Sequence, residues 1–238
     1  MNYDVIVIGA GLGGLTAGAR LAKGGKKVLV LEQHDRPGGC ATTFRRRDFT
    51  MEVGLHEMDG LHPRDIKNRI FQDLGITGKV DFLEVPEFYR FLNGRVDIVI
   101  PHRAAEAIKV LKERFPAEGK GIDIYFDHVL NARKIATGGG KDCSVGEFLD
   151  GIIPDEDLKL VLLGNLGYFH DDPYSLSLFY YLNAQGSYFG GRANYIRGGS
   201  RALSEALAGI IAENGGAVLL NSLVTSIDYE GRTPAGVT

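Results

Sequence analysis

Gly9, Gly11 and Gly14 stand between a run of β-branched residues and a helical pattern, and this stretch restricts the fold more than any other feature of the chain. The run Val5-Ile6-Val7-Ile8 is short, apolar and β-branched, as expected of a parallel strand buried on both faces. Leu12, Leu15, Ala19 and Ala22 then recur at helical spacing. In the spacing G-x-G-x-x-G the first glycine permits a tight turn. The second lets backbone approach a pyrophosphate, and the third, with Gly18 behind it, lets helix and sheet pack closely. A pyrophosphate at such a helix N-terminus meets unpaired N–H groups and the positive end of the helix dipole. Gly9, Gly11, Gly13 and Gly14 are the candidate cofactor-binding residues of this loop. Gly24-Gly25 ends the helix, Val28 to Leu31 reads as a second strand, and Glu32 stands at its tip, 18 positions after Gly14. An acid about 20 residues on is the one that accepts ribose hydroxyls, and its charge disfavours a 2′-phosphate. Strand, glycines, helix, strand and acid in this order predict a dinucleotide-binding βαβ unit.

Composition bounds the partners. With 44% hydrophobic and 24% charged residues the chain is of globular type, and 238 residues can hold one or two domains. A net charge of −3 gives no footing for nucleic acid. The local cluster Arg45-Arg46-Arg47 is read as a solvated hairpin edge, with an anion or lipid headgroup contact as the alternative. Cys40 and Cys143 are too few for a disulfide framework or a metal site, which suits a reducing cytoplasm. The first apolar run has no basic region before it and is interrupted by glycines, so it reads as neither a signal peptide nor a membrane span. Any membrane contact is expected to be peripheral.

After Glu32 come Arg36-Pro37-Gly38-Gly39, then Ala41-Thr42-Thr43-Phe44 and Phe49-Thr50-Met51-Glu52-Val53-Gly54, two short strands turning near Arg47-Asp48. The glycine fingerprint, Glu32, the basic-x-Gly-Gly loop, the hairpin and the run EVGLHE together resemble the FAD-dependent amine oxidase-like superfamily. The likeness is to its branch of phytoene desaturases, carotenoid isomerases and retinol saturases. The resemblance implies FAD as cofactor. It also implies that the loop of Arg36, Gly38 and Gly39 passes beside the pyrophosphate and ribityl chain, and that the segment from Glu52 to His56 lies close to the flavin. Glu52 stands where many members have Asp. Near the end of the chain, Tyr195-Ile196-Arg197-Gly198-Gly199, a helix from Ser200 to about Asn214, and strands over Ala217 to Leu220 and Val224 to Tyr229 match the family's return to the cofactor domain. There Val224 is implied to contact the adenine through its backbone. The resemblance covers about the first half of a usual member. The fold is therefore expected to be truncated, whether as a fragment, as a shortened gene product or as a chain completed by a second, C-terminal one.

The resulting fold class is α/β: a Rossmann-like FAD-binding domain, a parallel sheet with helices, formed by residues 1–55 and 196–238. An inserted α+β substrate-side domain takes residues 56–195. Within the insertion, residues 63 to 74 are predicted as a helix and Val80 to Val85 as a strand. Tyr89 to Leu92 and Arg95 to Ile100 flank Asn93-Gly94, a strong hairpin signal. Helices are expected over 103–115, 121–136, Ser144 to Leu149, Asp155 to Leu163 and Tyr174 to Leu182, with Gly138-Gly139-Gly140 as a flexible connection.

No catalytic residue is assigned, because a flavin itself carries the hydride step and the protein has only to place the substrate and exclude water. His56, Glu57, Asp59 and His62 are read as loop residues rather than metal ligands, since the zinc helix motif needs a histidine where Gly60 stands. His56 either faces the flavin or is a hydrogen-bonded structural histidine. Cys40 is read as a small buried thiol rather than a redox group. Phe88, Tyr89 and Phe91, with Phe179, Tyr180, Tyr181, Tyr188 and Phe189, are either ordinary core or the lining of an apolar tunnel. The tunnel reading requires that Tyr181→Ala or Phe189→Ala impair turnover more than stability. The function the resemblance implies is an FAD-dependent oxidoreductase, or part of one, that desaturates, saturates or isomerises a hydrophobic polyene, isoprenoid or lipid-like substrate. The alternatives are a non-catalytic protein of the same fold that binds a lipid or prenylated partner, an inactive fragment, and, disfavoured by the Gly38-Gly39 loop, an NAD-linked dehydrogenase.

Overall fold

The computed structural model describes residues 2–63, 65–132, 143–168, 170–191 and 193–238. The glycine run 138–140 and the far end of the helix predicted over 121–136 lie outside the described residues. The chain forms two compact units: Met1–Met58, Pro63–Leu83 and Tyr195–Thr238 in the first, Asp59–His62 and Glu84–Asn194 in the second.

The first unit is built on strand β1 (Val5–Ile8), helix α1 (Leu12–Lys23) and strand β2 (Val28–Leu31). β1 and β2 run parallel in the register Val5↔Val28 to Ile8↔Leu31. The hairpin of β3 (Thr43–Arg46) and β4 (Phe49–Glu52) follows, then α2 (Ile66–Leu74) and β5 (Phe82–Glu84). The unit resumes late in the chain with α8 (Ser200–Glu213), β9 (Ala217–Leu219) and the hairpin of β10 (Ile227–Glu230) and β11 (Thr233–Val237). β9 lies parallel beside β2, giving the sheet order β1-β2-β9.

Helices α1 and α8 cover the Val28 and Val30 face of this sheet. A Cβ at Gly18 would stand 3.0 Å from Ile211 and 3.2 Å from Val30, so the small residue sets how closely helix and sheet approach. The expectation that β1 is buried on both faces is corrected here. Ile6 and Ile8 are 37% and 50% exposed, because they project from the face opposite the one that α1 and α8 cover. Among the described residues β1 pairs only with β2. The segment 63–83, which the sequence grouped with the insertion, packs in the first unit: Phe71 stacks on Phe82 at 5.7 Å, the Lys23 ammonium donates to the Asp73 carbonyl, and Lys79 pairs with Glu213 at 2.7 Å. The last strand begins later than predicted. Residues 222–226 form no strand, although the Thr225 and Ser226 N–H groups donate to the Thr238 carbonyl at 2.7 and 3.3 Å, and the ladder starts at Ile227, so Val224 lies in the connection.

The second unit opens on the hairpin of β6 (Glu87–Leu92) and β7 (Asp97–Pro101). Its turn is the predicted Asn93-Gly94, where the Asn93 side chain accepts from the N–H groups of Arg95 and Val96 at 2.8 and 2.7 Å. Then come α3 (Ala104–Arg114), α4 (Gly119–Leu130), α5 (Val145–Ile152), α6 (Glu156–Leu162) and α7 (Leu178–Gly190), and β8 (Asn194–Ile196) leads back to the first unit. A capping box starts α5: Ser144 accepts from the Glu147 N–H at 3.2 Å, and Glu147 accepts from the Ser144 N–H at 2.9 Å. α7 starts four residues after the predicted Tyr174, because Asp172 and Pro173 hold a turn and Ser177 is the N-cap. Leu111, Ile122, Phe126, Leu149, Ile153 and Leu158 form the core.

Two buried tyrosines belong to that core. The Tyr181 hydroxyl donates to the Leu162 carbonyl at 2.7 Å and lies 3.2 Å from the Tyr125 hydroxyl. Burial pushes both phenols up from their ordinary ionisation range. Tyr181 is 0% exposed and Phe189 8%, whereas their neighbours Phe179 and Tyr180 are 50% and 56% exposed. Tyr181 is therefore a packing residue rather than a lining one. Tyr181→Ala is expected to lower unfolding free energy by about 3–5 kcal/mol, by lost packing together with an unsatisfied carbonyl. Urea denaturation followed by circular dichroism measures this, and a change below about 1 kcal/mol would contradict the packing role.

Candidate functional site

The glycine loop is shaped by two close approaches. A Cβ on Gly14 would lie 2.1 Å from the Gly9 carbonyl oxygen, so no other residue fits, and Gly9 itself turns at φ +91°. At Gly11 and Gly13 the situation is reversed: a Cβ at either would meet no protein atom within 4 Å. These two glycines face open space at the start of α1, where Gly11 is the N-cap and has no side chain to satisfy the first N–H groups. That is the geometry of an anion cradle, with free donors, the helix dipole and room for a ligand to come against backbone.

The second glycine loop lies against the first. The Gly38 N–H donates to the Ala10 carbonyl at 2.7 Å, Gly11 and Gly38 form a parallel bridge, and a Cβ on Gly39 would stand 3.3 Å from the Gly11 Cα. Gly38 holds φ +121°, and a side chain there would strike the Ala41 carbonyl at 2.3 Å. Glu32, at 5% exposure, completes the arrangement: one carboxylate oxygen accepts from the Ala10 N–H at 2.7 Å and the other from the His34 N–H at 2.9 Å. A carboxylate offers about four acceptor sites, so two remain for a ligand's hydroxyls. The chain after β9 passes the same place, with the Ser222 N–H on the Glu32 carbonyl at 2.8 Å and the Asn221 N–H on the His34 carbonyl at 2.9 Å. Val224 follows two residues later.

The remaining candidates are placed as follows. Arg36 is exposed and paired with Asp35 at 2.8 Å, and its guanidinium holds the Asp35 carboxyl below the usual range. Gly54 packs on the Cys40 carbonyl, so the strand after Arg47 returns to the Gly-Gly loop; Cys40 is exposed there, not buried as expected, and His56 lies exposed just beyond. Arg45, Arg46 and Arg47 are exposed at the hairpin turn. Among the described residues no group of three or more His, Cys, Asp and Glu is arranged to hold a metal, and no helix is long and apolar enough to cross a membrane.

One residue carries a role the sequence reading did not give it. The Glu52 carboxylate accepts from the Ser200 N–H at 2.8 Å and from the Ser200 hydroxyl, capping α8 from 148 positions away. Its only sequence signal was its place in EVGLHE, since a cap supplied by a distant strand leaves no local pattern.

Residues 7–74 match the family of NAD(P)-binding Rossmann-like domains. The human all-trans-retinol 13,14-reductase is 35% identical over 153 residues, 62% of this chain and 24% of that protein. The chloroplastic prolycopene isomerase of Daucus carota is 37% identical over 123 residues, 51% of this chain and 20% of that protein. The chain is similar to both over part of its length. The matched stretch spans less than a quarter of each relative's length. Among solved structures, an oxidoreductase from Methanosarcina mazei superposes with a TM-score of 0.69 at 21% identity, covering 98% of this chain and 55% of that one. Putrescine oxidase superposes with a TM-score of 0.61 at 17% identity, covering 96% and 53%. These likenesses establish the Rossmann-like α/β fold, and the family matched at residues 7–74 is one of dinucleotide-binding domains.

If Glu32 fastens the loop, Glu32→Ala orphans the buried Ala10 N–H and should cost about 1–3 kcal/mol of stability, while Glu32→Gln, which keeps an acceptor, costs less. Denaturant titration of the two variants distinguishes them. Equal stability of Glu32→Ala and the wild-type chain would contradict the fastening.

Proposed function

We propose that the chain is the FAD-binding part, with an attached helical unit, of an oxidoreductase acting on carbon–carbon bonds of a hydrophobic polyene. The observation that carries this reading is the pair of glycine loops bonded to each other at Ala10 and Gly38, open at Gly11 and Gly13 and edged by the buried Glu32. A nicotinamide Rossmann unit has no need of the second loop. FAD, when bound, supplies the hydride acceptor or donor. The chain's own residues would bind it. The α1 N-terminus and Gly11 take the pyrophosphate, Gly38 and Gly39 flank it, Glu32 accepts from the adenosine ribose, and the backbone at Val224 lies towards the adenine. His56, just past the Gly-Gly loop, is the candidate for the flavin side.

The substrate class rests on the relatives, whose names state action on all-trans-retinol and prolycopene. In the second unit Phe88 meets Tyr188 at 4.8 Å and Phe189 at 5.2 Å, so the two aromatic runs converge there on one apolar cluster suited to a water-insoluble ligand. A complementing polypeptide belongs to the reading as well. The free edge of β1 and the exposed Ile6 and Ile8 are surfaces that a further strand and covering layer would bury. A cytoplasmic protein with peripheral membrane contact suits such a substrate.

The test is an absorption spectrum after gel filtration with added FAD, followed by dithionite reduction and anaerobic addition of all-trans-retinol or prolycopene. The reading expects a retained flavin band that bleaches on reduction and responds to the polyene. A chain that stays colourless would contradict FAD binding by this chain, and a retained flavin that no reductant bleaches would favour a non-catalytic binding protein.

A further inference from the structure

Helix α8 carries two buried hydroxyls, Ser200 and Ser204, each 0% exposed and one helical turn apart. Neither caps its own helix. Ser204 donates to the Ala41 carbonyl at 3.1 Å, and Ser200 donates to the Glu52 carboxylate from both its N–H and its hydroxyl. Between these anchors runs the whole segment from the Gly-Gly loop to the end of β4. Ala41 closes a turn on Gly38, whose carbonyl accepts the Ala41 N–H at 2.9 Å, and the same Gly38 donates to Ala10. The missing side chain at Gly38 is part of the device, because a Cβ there would lie 2.8 Å from the Ser204 hydroxyl. Thr43 adds a third tie, accepting from the Arg201 N–H at 3.4 Å.

We propose that Ser204, with the Ser200–Glu52 pair one turn earlier, is a positioning residue of the dinucleotide site: it holds the Gly38–Ala41 turn so that Gly38 and Gly39 press on Ala10 and Gly11. The chain of contacts is α8 to Ala41, Ala41 to Gly38, and Gly38 to the loop at the start of α1. Each link is a hydrogen bond or a steric stop already described. Ser204 touches no part of the cradle itself, and its effect passes through Ala41. The proposal deepens the dinucleotide reading and rests on it for its functional half, whereas the fastening is a property of the ligand-free chain.

The experiment is residue-resolved amide hydrogen exchange on the wild-type chain and on Ser204→Ala, with ADP titrated by calorimetry as the probe of the cradle. Loss of one buried hydrogen bond should speed exchange at Gly38, Ala41 and Ala10 about fivefold, leaving the β2 ladder at Leu29 to Leu31 unchanged. ADP affinity should fall by a similar factor. Uniform acceleration that includes β2 means Ser204 only packs, and it overturns the proposal. Unchanged exchange at Gly38 and Ala10 overturns it too. Local acceleration in a chain that never binds ADP upholds the fastening and overturns the dinucleotide reading on which its role rests.

Discussion

The peptide group at Ala10 is the point on which the first unit turns. It is fully buried, its N–H held by Glu32 and its carbonyl by Gly38, so neither polar group is left unmade. These two bonds join the glycine loop after β1 to the acid at the tip of β2 and to the Gly-Gly loop that follows it. A buried, satisfied peptide of this kind is rigid, and rigidity is what a backbone cradle for an anion requires. Beside it Gly11 and Gly13 face open space, where the helix N-terminus has donors to offer.

The two faces of the small sheet are treated differently. Val28 and Val30 lie under α1 and α8 and are buried, while Ile6 and Ile8 on the other face stay open. Among the described residues β1 pairs with β2 alone, whereas the strands of all-parallel sheets are commonly covered on both faces. The solved structures of this fold are matched over only about half their length. The second unit has a core of its own, centred on α4 and α7 and tied by the Tyr125 and Tyr181 hydroxyls.

Legibility followed the range of the interactions. G-x-G-x-x-G and Asn93-Gly94 were readable because each closes within a few residues, and each stands where the pattern put it; the helix start at Ser144 was read, but not the Ser144–Glu147 box that caps it. Glu32 was readable by its spacing, but that spacing announced a ligand contact and said nothing of its hydrogen bond to Ala10. Glu52 and Ser204 were opaque as anchors, since both act across more than a hundred positions and neither follows a local rule. Tyr181 was ambiguous for a different reason. An aromatic run on a helix reads alike whether it faces a core or a cavity, and the full burial of Tyr181 with its bond to the Leu162 carbonyl separates the two. The exposure of β1 was misread because β-branched composition reports strand propensity and not what lies beyond the strand.

The central claim, that a dinucleotide comes against bare backbone at the start of α1, is tested most directly by Gly11→Ala. Gly11 has φ −68° and ψ 170°, which alanine adopts without strain, and its added methyl meets no protein atom. The measurement is thermal unfolding together with FAD and ADP affinity for this one variant. The account predicts a folded chain with a Tm lowered by no more than the poorer alanine N-cap costs, about 1 kcal/mol, and affinity reduced at least tenfold, about 1.4 kcal/mol, because the methyl occupies the ligand's place. Wild-type affinity in the folded variant would contradict it and put the cofactor elsewhere.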